Sequence, residues 1–188
     1  MLALWIILGI VGFLIVVFVL YIVSTYNKLI RLKNNVEESF SAMDVSMKKR
    51  YDLVPNLVET VKGYAKHENK TLEAVIAARN SAMNATTAQE KAKADNMLTG
   101  TLKTLFAVAE SYPDLKANTN FMDLQNQLKL LEVEIANSRR YYNACVKSLN
   151  NKIELFPSNI IARWFKFEKK SMFEVDSPEE RKNVKVEF

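Results

Sequence analysis

The chain has 188 residues, with 26 Lys and Arg against 21 Asp and Glu for a net charge of +5, and it contains one Cys and one His. A lone cysteine excludes an internal disulfide and a thiolate metal cluster. A lone histidine excludes a paired-histidine zinc site, because His67-Glu68-Asn69-Lys70-Thr71 lacks the second ligand four positions on. The surplus of positive charge is small and interspersed with carboxylates, which argues against a nucleic-acid surface.

Residues 2–23 contain no charge. A bilayer core needs roughly 20 apolar residues in helical form, and this stretch supplies them. Trp5 near one end and Tyr21 and Tyr26 near the other sit where amphipathic rings favour the interface. The stretch is too long for a signal peptide, and no small-x-small cleavage site follows it. Lys28, Arg31 and Lys33 come directly after it. The positive-inside bias then predicts a single-pass protein of the inner (cytoplasmic) membrane, with its N-terminus outside and its body in the cytoplasm.

Beyond residue 25 the pattern becomes periodic. Tyr26, Leu29, Lys33, Val36, Phe40, Met43 and Met47 step by three and four, which predicts one buried helical face. Lys48-Lys49-Arg50 reads as a solvated face. Pro55 interrupts the pattern with two solutions open. The helix can kink and run on, because Val54, Leu57, Val61 and Tyr64 keep the phase. Alternatively, residues 51–55 form a tight reversal with Asn56 as the next N-cap. Length matching with the later helices favours the reversal.

A helix is predicted over residues 56–83, and Thr87-Ala88-Gln89-Glu90 has capping-box spacing for the next. That helix should stop near Tyr112, before Pro113, and Asn120 is placed as the N-cap of the last long one. Phe121, Leu124, Leu128, Leu131, Ile135, Ser138, Tyr142, Cys145, Leu149, Lys152 and Phe156 then form a seven-residue stripe, with Cys145 as a buried small hydrophobe. The predicted fold is all-α: an N-terminal transmembrane anchor (1–25), an antiparallel four-helix bundle with coiled-coil-type packing (26–157), a short amphipathic segment (158–175) and a charged tail (176–188).

In the segment after Pro157, Ser158 is placed to cap a short helix carrying Trp164, Phe165 and Phe167 among Arg163, Lys166, Lys169 and Lys170. Two readings are open: rings and cations at a lipid interface, or rings closing the end of the bundle. The candidate membrane-interface residues are therefore Trp5, Tyr21, Tyr26, Lys28, Arg31, Trp164, Phe165 and Phe167.

No catalytic, cofactor-binding or metal-ligating set emerges. Glu37 and Glu38 diverge by about 100° on a helix, and no glycine loop cradles a phosphate. The expected partners are the lipid bilayer, further copies of the chain and another membrane or envelope protein, with no nucleic acid, cofactor or small-molecule substrate. The function expected is that of a self-assembling, membrane-anchored scaffold, with lipid binding or membrane shaping through the C-terminal segment as the alternative.

Several segments form a recognisable set: Tyr26-Asn27-Lys28-Leu29, the run from Lys49-Arg50-Tyr51-Asp52-Leu53-Val54-Pro55 to Tyr64, and Ala77-Ala78-Arg79-Asn80. Ala109-Glu110-Ser111-Tyr112-Pro113 through Asn118 with Asn120-Phe121, Arg139-Arg140-Tyr141-Tyr142-Asn143, and Phe156-Pro157-Ser158-Asn159-Ile160 complete it. On these segments, from Tyr26 to Glu174, the chain resembles the LemA family of bacterial membrane proteins. Phe165-Lys166-Phe167 departs from the pattern, which has Gly between the two aromatics. The resemblance implies a short external N-terminus, one membrane pass, a cytoplasmic four-helix bundle, loose precedent for envelope organisation or signalling, and no enzymatic activity to carry over.

Overall fold

The computed structural model describes residues 1–174, and the charged tail expected from Asp176 lies outside them. Every regular element among the described residues is helical: α1 (Leu2–Tyr64), α2 (Asn69–Asn84), α3 (Ala88–Ala109), α4 (Pro113–Lys116), α5 (Thr119–Glu154) and α6 (Ser158–Trp164). The described residues divide into two compact units, one comprising Met1–Ser41 and Tyr141–Lys170, the other Ala42–Arg140 with residues 171–174.

The first unit holds the start of α1, the end of α5 and α6. The apolar stretch of α1 is long enough to cross a membrane, and none of it is buried. Past it, Leu29, Val36, Tyr142, Val146, Leu149, Ile161 and Ala162 form the core. Phe40 and Tyr142 meet at a ring-centroid distance of 5.5 Å.

The second unit is built on the rest of α1, which continues as helix through Pro55. The reversal expected at residues 51–55 does not occur, and the chain turns only at residues 65–68. A proline in a helix interior costs about 3 kcal/mol. Val54, Leu57, Val58 and Val61 are each 4% exposed or less, and full burial of such side chains stabilises by roughly 1.5–3 kcal/mol apiece. Keeping them on one stripe outweighs the proline. The carbonyl that Pro55 leaves without a donor, that of Tyr51 four residues earlier, accepts a hydrogen bond from Arg79 Nε on α2 at 2.7 Å. The penalty is thereby largely answered from a neighbouring helix. The helix predicted to begin at Asn56 starts instead at Asn69.

α2 packs against α3, and the capping box forms as the spacing predicts. Thr87 Oγ1 accepts from Glu90 N–H at 3.2 Å, while the Glu90 carboxylate accepts from Thr87 N–H at 3.1 Å. These bonds, with a further pair from Thr86, hold the Glu90 carboxyl down at about 2. The last long helix is capped by Asn118, not Asn120: Asn118 Oδ1 accepts from Phe121 N–H at 3.0 Å, the N3 position of a helix that begins at Thr119.

On α5 every seventh residue is buried, namely Phe121, Leu128, Ile135, Tyr142 and Leu149. The stripe stops there, because Phe156 is 80% exposed. Cys145 is only half-buried, and Val146 beside it takes the interior position.

Candidate functional site

In the first unit the chain returns to the end of the apolar stretch. Tyr26 lies three residues beyond Val23, about one helical turn. Its ring meets Phe165 at 4.8 Å and Phe167 at 5.9 Å, and Trp164 stands 6.0 Å from Phe165. Four of the sequence-predicted interface residues are thus brought into one aromatic cluster. Lys28 and Arg31 are exposed on the adjoining turns of α1. Trp5 and Tyr21 stay on the apolar stretch, Trp5 fully outward and Tyr21 at the margin of exposure.

The backbone that presents these rings is a closed helix C-terminus. Phe167 N–H donates to Ala162 C=O at 2.8 Å and Lys166 N–H donates to Arg163 C=O at 3.2 Å. That is the paired 6→1 and 5→2 pattern of a Schellman motif. Its left-handed position, normally glycine, is Lys166, with φ at 55°. A side chain there costs about 1 kcal/mol. Ser158 caps the preceding helix and not α6: its Oγ donates toward the carbonyls of Lys152 (2.7 Å), in the last turn of α5, and Leu155 (2.9 Å), just past its end. A cleft of about 320 Å³ opens beside the rings, lined by Tyr26, Ile30, Lys33, Leu149 and residues 165–168 and 170. Asn150 fixes one wall, accepting from Lys170 N–H and donating to Lys170 C=O, each at 2.9 Å.

The second unit contains a polar cluster that sequence reasoning placed in solvent. Lys48 and Lys49 are exposed, but Arg50 is 1% exposed. Its Nη2 pairs with Asp95, itself buried, and its Nη1 donates to Glu132 (2.5 Å) and Thr99 (3.2 Å). Position 50 falls on the inward face of α1 between Met47 and Val54, so the helical phase carries the signal that the charge run hid. Burial draws the guanidinium below its ordinary pKa and Glu132 opposes that pull. Arginine keeps its proton under such conditions. Arg50 Nε and the Tyr51 hydroxyl are buried without a partner among the described residues. Burial pushes the Tyr51 phenol up to about 12. A groove of about 450 Å³ between α3 and α5 exposes the cluster's edge and is lined by Leu102, Phe106, Leu128, Lys129 and Val133.

A profile of the LemA family matches residues 39–188. The chain belongs to the LemA family. It is also 28% identical, over 151 residues, to Protein LemA of Metamycoplasma hominis, an alignment that spans 78% of this chain and 68% of that protein. Several segments that carry the LemA resemblance meet one another in the fold. The Tyr51–Pro55 segment meets Ala77–Asn80 through the Arg79 hydrogen bond. Tyr112 donates its hydroxyl proton to Glu68 at 3.0 Å, which raises the phenol's pKa, and Asn118 Nδ2 donates to the Tyr64 hydroxyl at 2.9 Å. The departure from the LemA pattern at Lys166 does not remove the turn: the lysine adopts the conformation that glycine would take.

Proposed function

We propose that this LemA-family chain is a membrane-anchored interaction module that assembles with further copies of itself and acts by non-covalent contact, in envelope organisation or signalling. In this reading α1 spans the inner membrane with its N-terminus outside, and α1, α2, α3 and α5 form an antiparallel four-helix bundle in the cytoplasm. No catalytic step is assigned to any residue. The observation that carries the reading is apolar surface left in water on α5. Leu130 is 71% exposed and Val133 57%, the latter on the wall of the α3–α5 groove. Side chains of this size on a long, regular helix suit a second helix packed by the same stepwise rule.

Chemical cross-linking and intact mass measurement of the protein in mild detergent test it. A defined oligomer is expected, weakened by Leu130→Glu with Val133→Glu. A strictly monomeric wild type at all concentrations contradicts the assembly.

A second reading, engagement of lipid by the C-terminal segment, is favoured by Phe156, Ile160 and Trp164. Ile160 and Trp164, four apart on α6, are 59% and 69% exposed, and Phe156, just ahead of that helix, is 80% exposed. Such a ridge suits the acyl boundary.

A further inference from the structure

We propose that the cleft beside Tyr26 binds the anionic headgroup of a phospholipid in the bilayer that α1 crosses. The inference rests on the second reading above and gives it a site and a ligand class. Three cations, Lys33, Lys166 and Lys170, line the cleft against one carboxylate, Glu168. Lys33 has a loose exposed pair with Glu37 at 3.9 Å, and neither Lys166 nor Lys170 has a carboxylate partner among the described residues. Tyr26, Phe165 and Phe167 supply the apolar wall. The depth is right for a headgroup: Tyr26 is about one turn beyond the apolar stretch and two residues before Lys28, the first charge, where a phosphate would lie.

Lys166 sharpens the argument. It occupies a left-handed position that glycine fills without strain. Strain retained at a ligand-facing residue points to a use for the side chain. Lys166 lines the cleft, and its ammonium can swing to a phosphate there for a charge-assisted contact. The backbone of Lys170, also in the lining, is held by both hydrogen bonds to Asn150. A phosphate in the cleft would then lie within reach of two lysines, with acyl chains running along exposed Ile160 and Trp164 of α6.

The test uses the full chain in mild detergent, titrated with phosphatidylglycerol, with phosphatidylcholine and with glycerol phosphate alone, and bound lipid is read by native mass spectrometry. Phosphatidylglycerol should bind more tightly than phosphatidylcholine, and salt should narrow the gap. Lys166→Gly should weaken phosphatidylglycerol binding about five-fold, the loss expected for one lysine near an anionic surface, while the protein unfolds at a higher temperature because the turn is relaxed. A gain in stability with a loss of binding is not the signature of a damaged fold. Lys33→Gln with Lys170→Gln should weaken binding further, and Lys103→Gln with Lys129→Gln, in the other unit, should leave it unchanged.

Equal binding of the two lipids, or unchanged phosphatidylglycerol affinity in Lys166→Gly, overturns the site. Glycerol phosphate binding as tightly as the lipid overturns the lipid as ligand. Alkaline carbonate extraction of native membranes separates the two levels: release of the wild type defeats the membrane reading itself, and retention with no lipid selectivity defeats the headgroup site alone.

Discussion

Replacing Arg79 with Met tests how α1 survives its proline. Pro55 has no N–H, so the Tyr51 carbonyl loses its donor, and Arg79 Nε fills the gap at 2.7 Å. A hydrogen bond from a charged group contributes about 1.5–3 kcal/mol, and Tyr51 is only 4% exposed, so little water can replace it. Arg79→Met should therefore cost about 2 kcal/mol. Pro55→Ala restores the N–H at the position that normally donates to the Tyr51 carbonyl. With Arg79 in place it should stabilise by only about 1 kcal/mol, because the rescue already offsets part of the interior-proline penalty and Pro removes entropy from the unfolded chain. In that background Arg79→Met should cost well under 1 kcal/mol, a coupling of more than about 1 kcal/mol between residues on different helices. Urea unfolding of the four proteins, followed by far-ultraviolet circular dichroism, gives the cycle. Equal cost of Arg79→Met in both backgrounds refutes the carbonyl rescue.

Arg50→Met leaves buried Asp95 without its cation and should cost about 3–5 kcal/mol, whereas Arg50→Met with Asp95→Leu should recover most of that in the same unfolding assay. Tyr51→Phe removes a buried hydroxyl that has no partner and should stabilise by about 1 kcal/mol. Because the folded phenol is pushed up to about 12 from an unfolded value of 10.0, its contribution is complete below about pH 10 and lost as pH rises toward 12. The alkaline decline of wild-type stability should therefore be shallower in Tyr51→Phe. Glu90 has the opposite sign: its folded value of about 2 lies below the unfolded one, so its contribution is complete above about pH 4.5 and fades as pH falls through 2. The stability difference between wild type and Glu90→Gln should vanish over that acid window in a pH series of thermal melts.

Helical class, the apolar stretch and the capping box were legible because each is a local pattern: an uncharged run, a period near 3.6, and a Thr three residues before a Glu. The turn at residues 65–68 was not. Pro55 is a loud local signal for a break, and its resolution depends on Arg79, 24 positions further along and on another helix. No windowed reading of residues 51–55 contains that donor. The same limit moved the cap from Asn120 to Asn118, since both are good caps and only the helix start at Thr119 decides which one reaches an N3 amide.

The candidate site divides along the same line. Tyr26, Trp164, Phe165 and Phe167 were singled out by residue type and nearness to the apolar stretch, and the fold gathers their rings, although nothing in the sequence joins residue 26 to residue 165. Arg50 was hidden by its neighbours, because a run of three cations reads as solvated until helical phase is applied residue by residue. Lys166 shows the reverse case. The resemblance made it a departure from glycine, and a departure at a left-handed position ordinarily means the turn is lost. Here the Schellman hydrogen bonds from Lys166 and Phe167 to Arg163 and Ala162 are made, and φ is 55°. The backbone has kept glycine's conformation while gaining an ammonium, at a cost of about 1 kcal/mol that the closing hydrogen bonds and the ring packing sustain. A substitution that is locally unfavourable and yet preserves the geometry is a sharper place to test the proposed headgroup site than the surrounding aromatic residues, since rings at a helix end have packing reasons to be there and Lys166→Gly alters the charge while relaxing the turn.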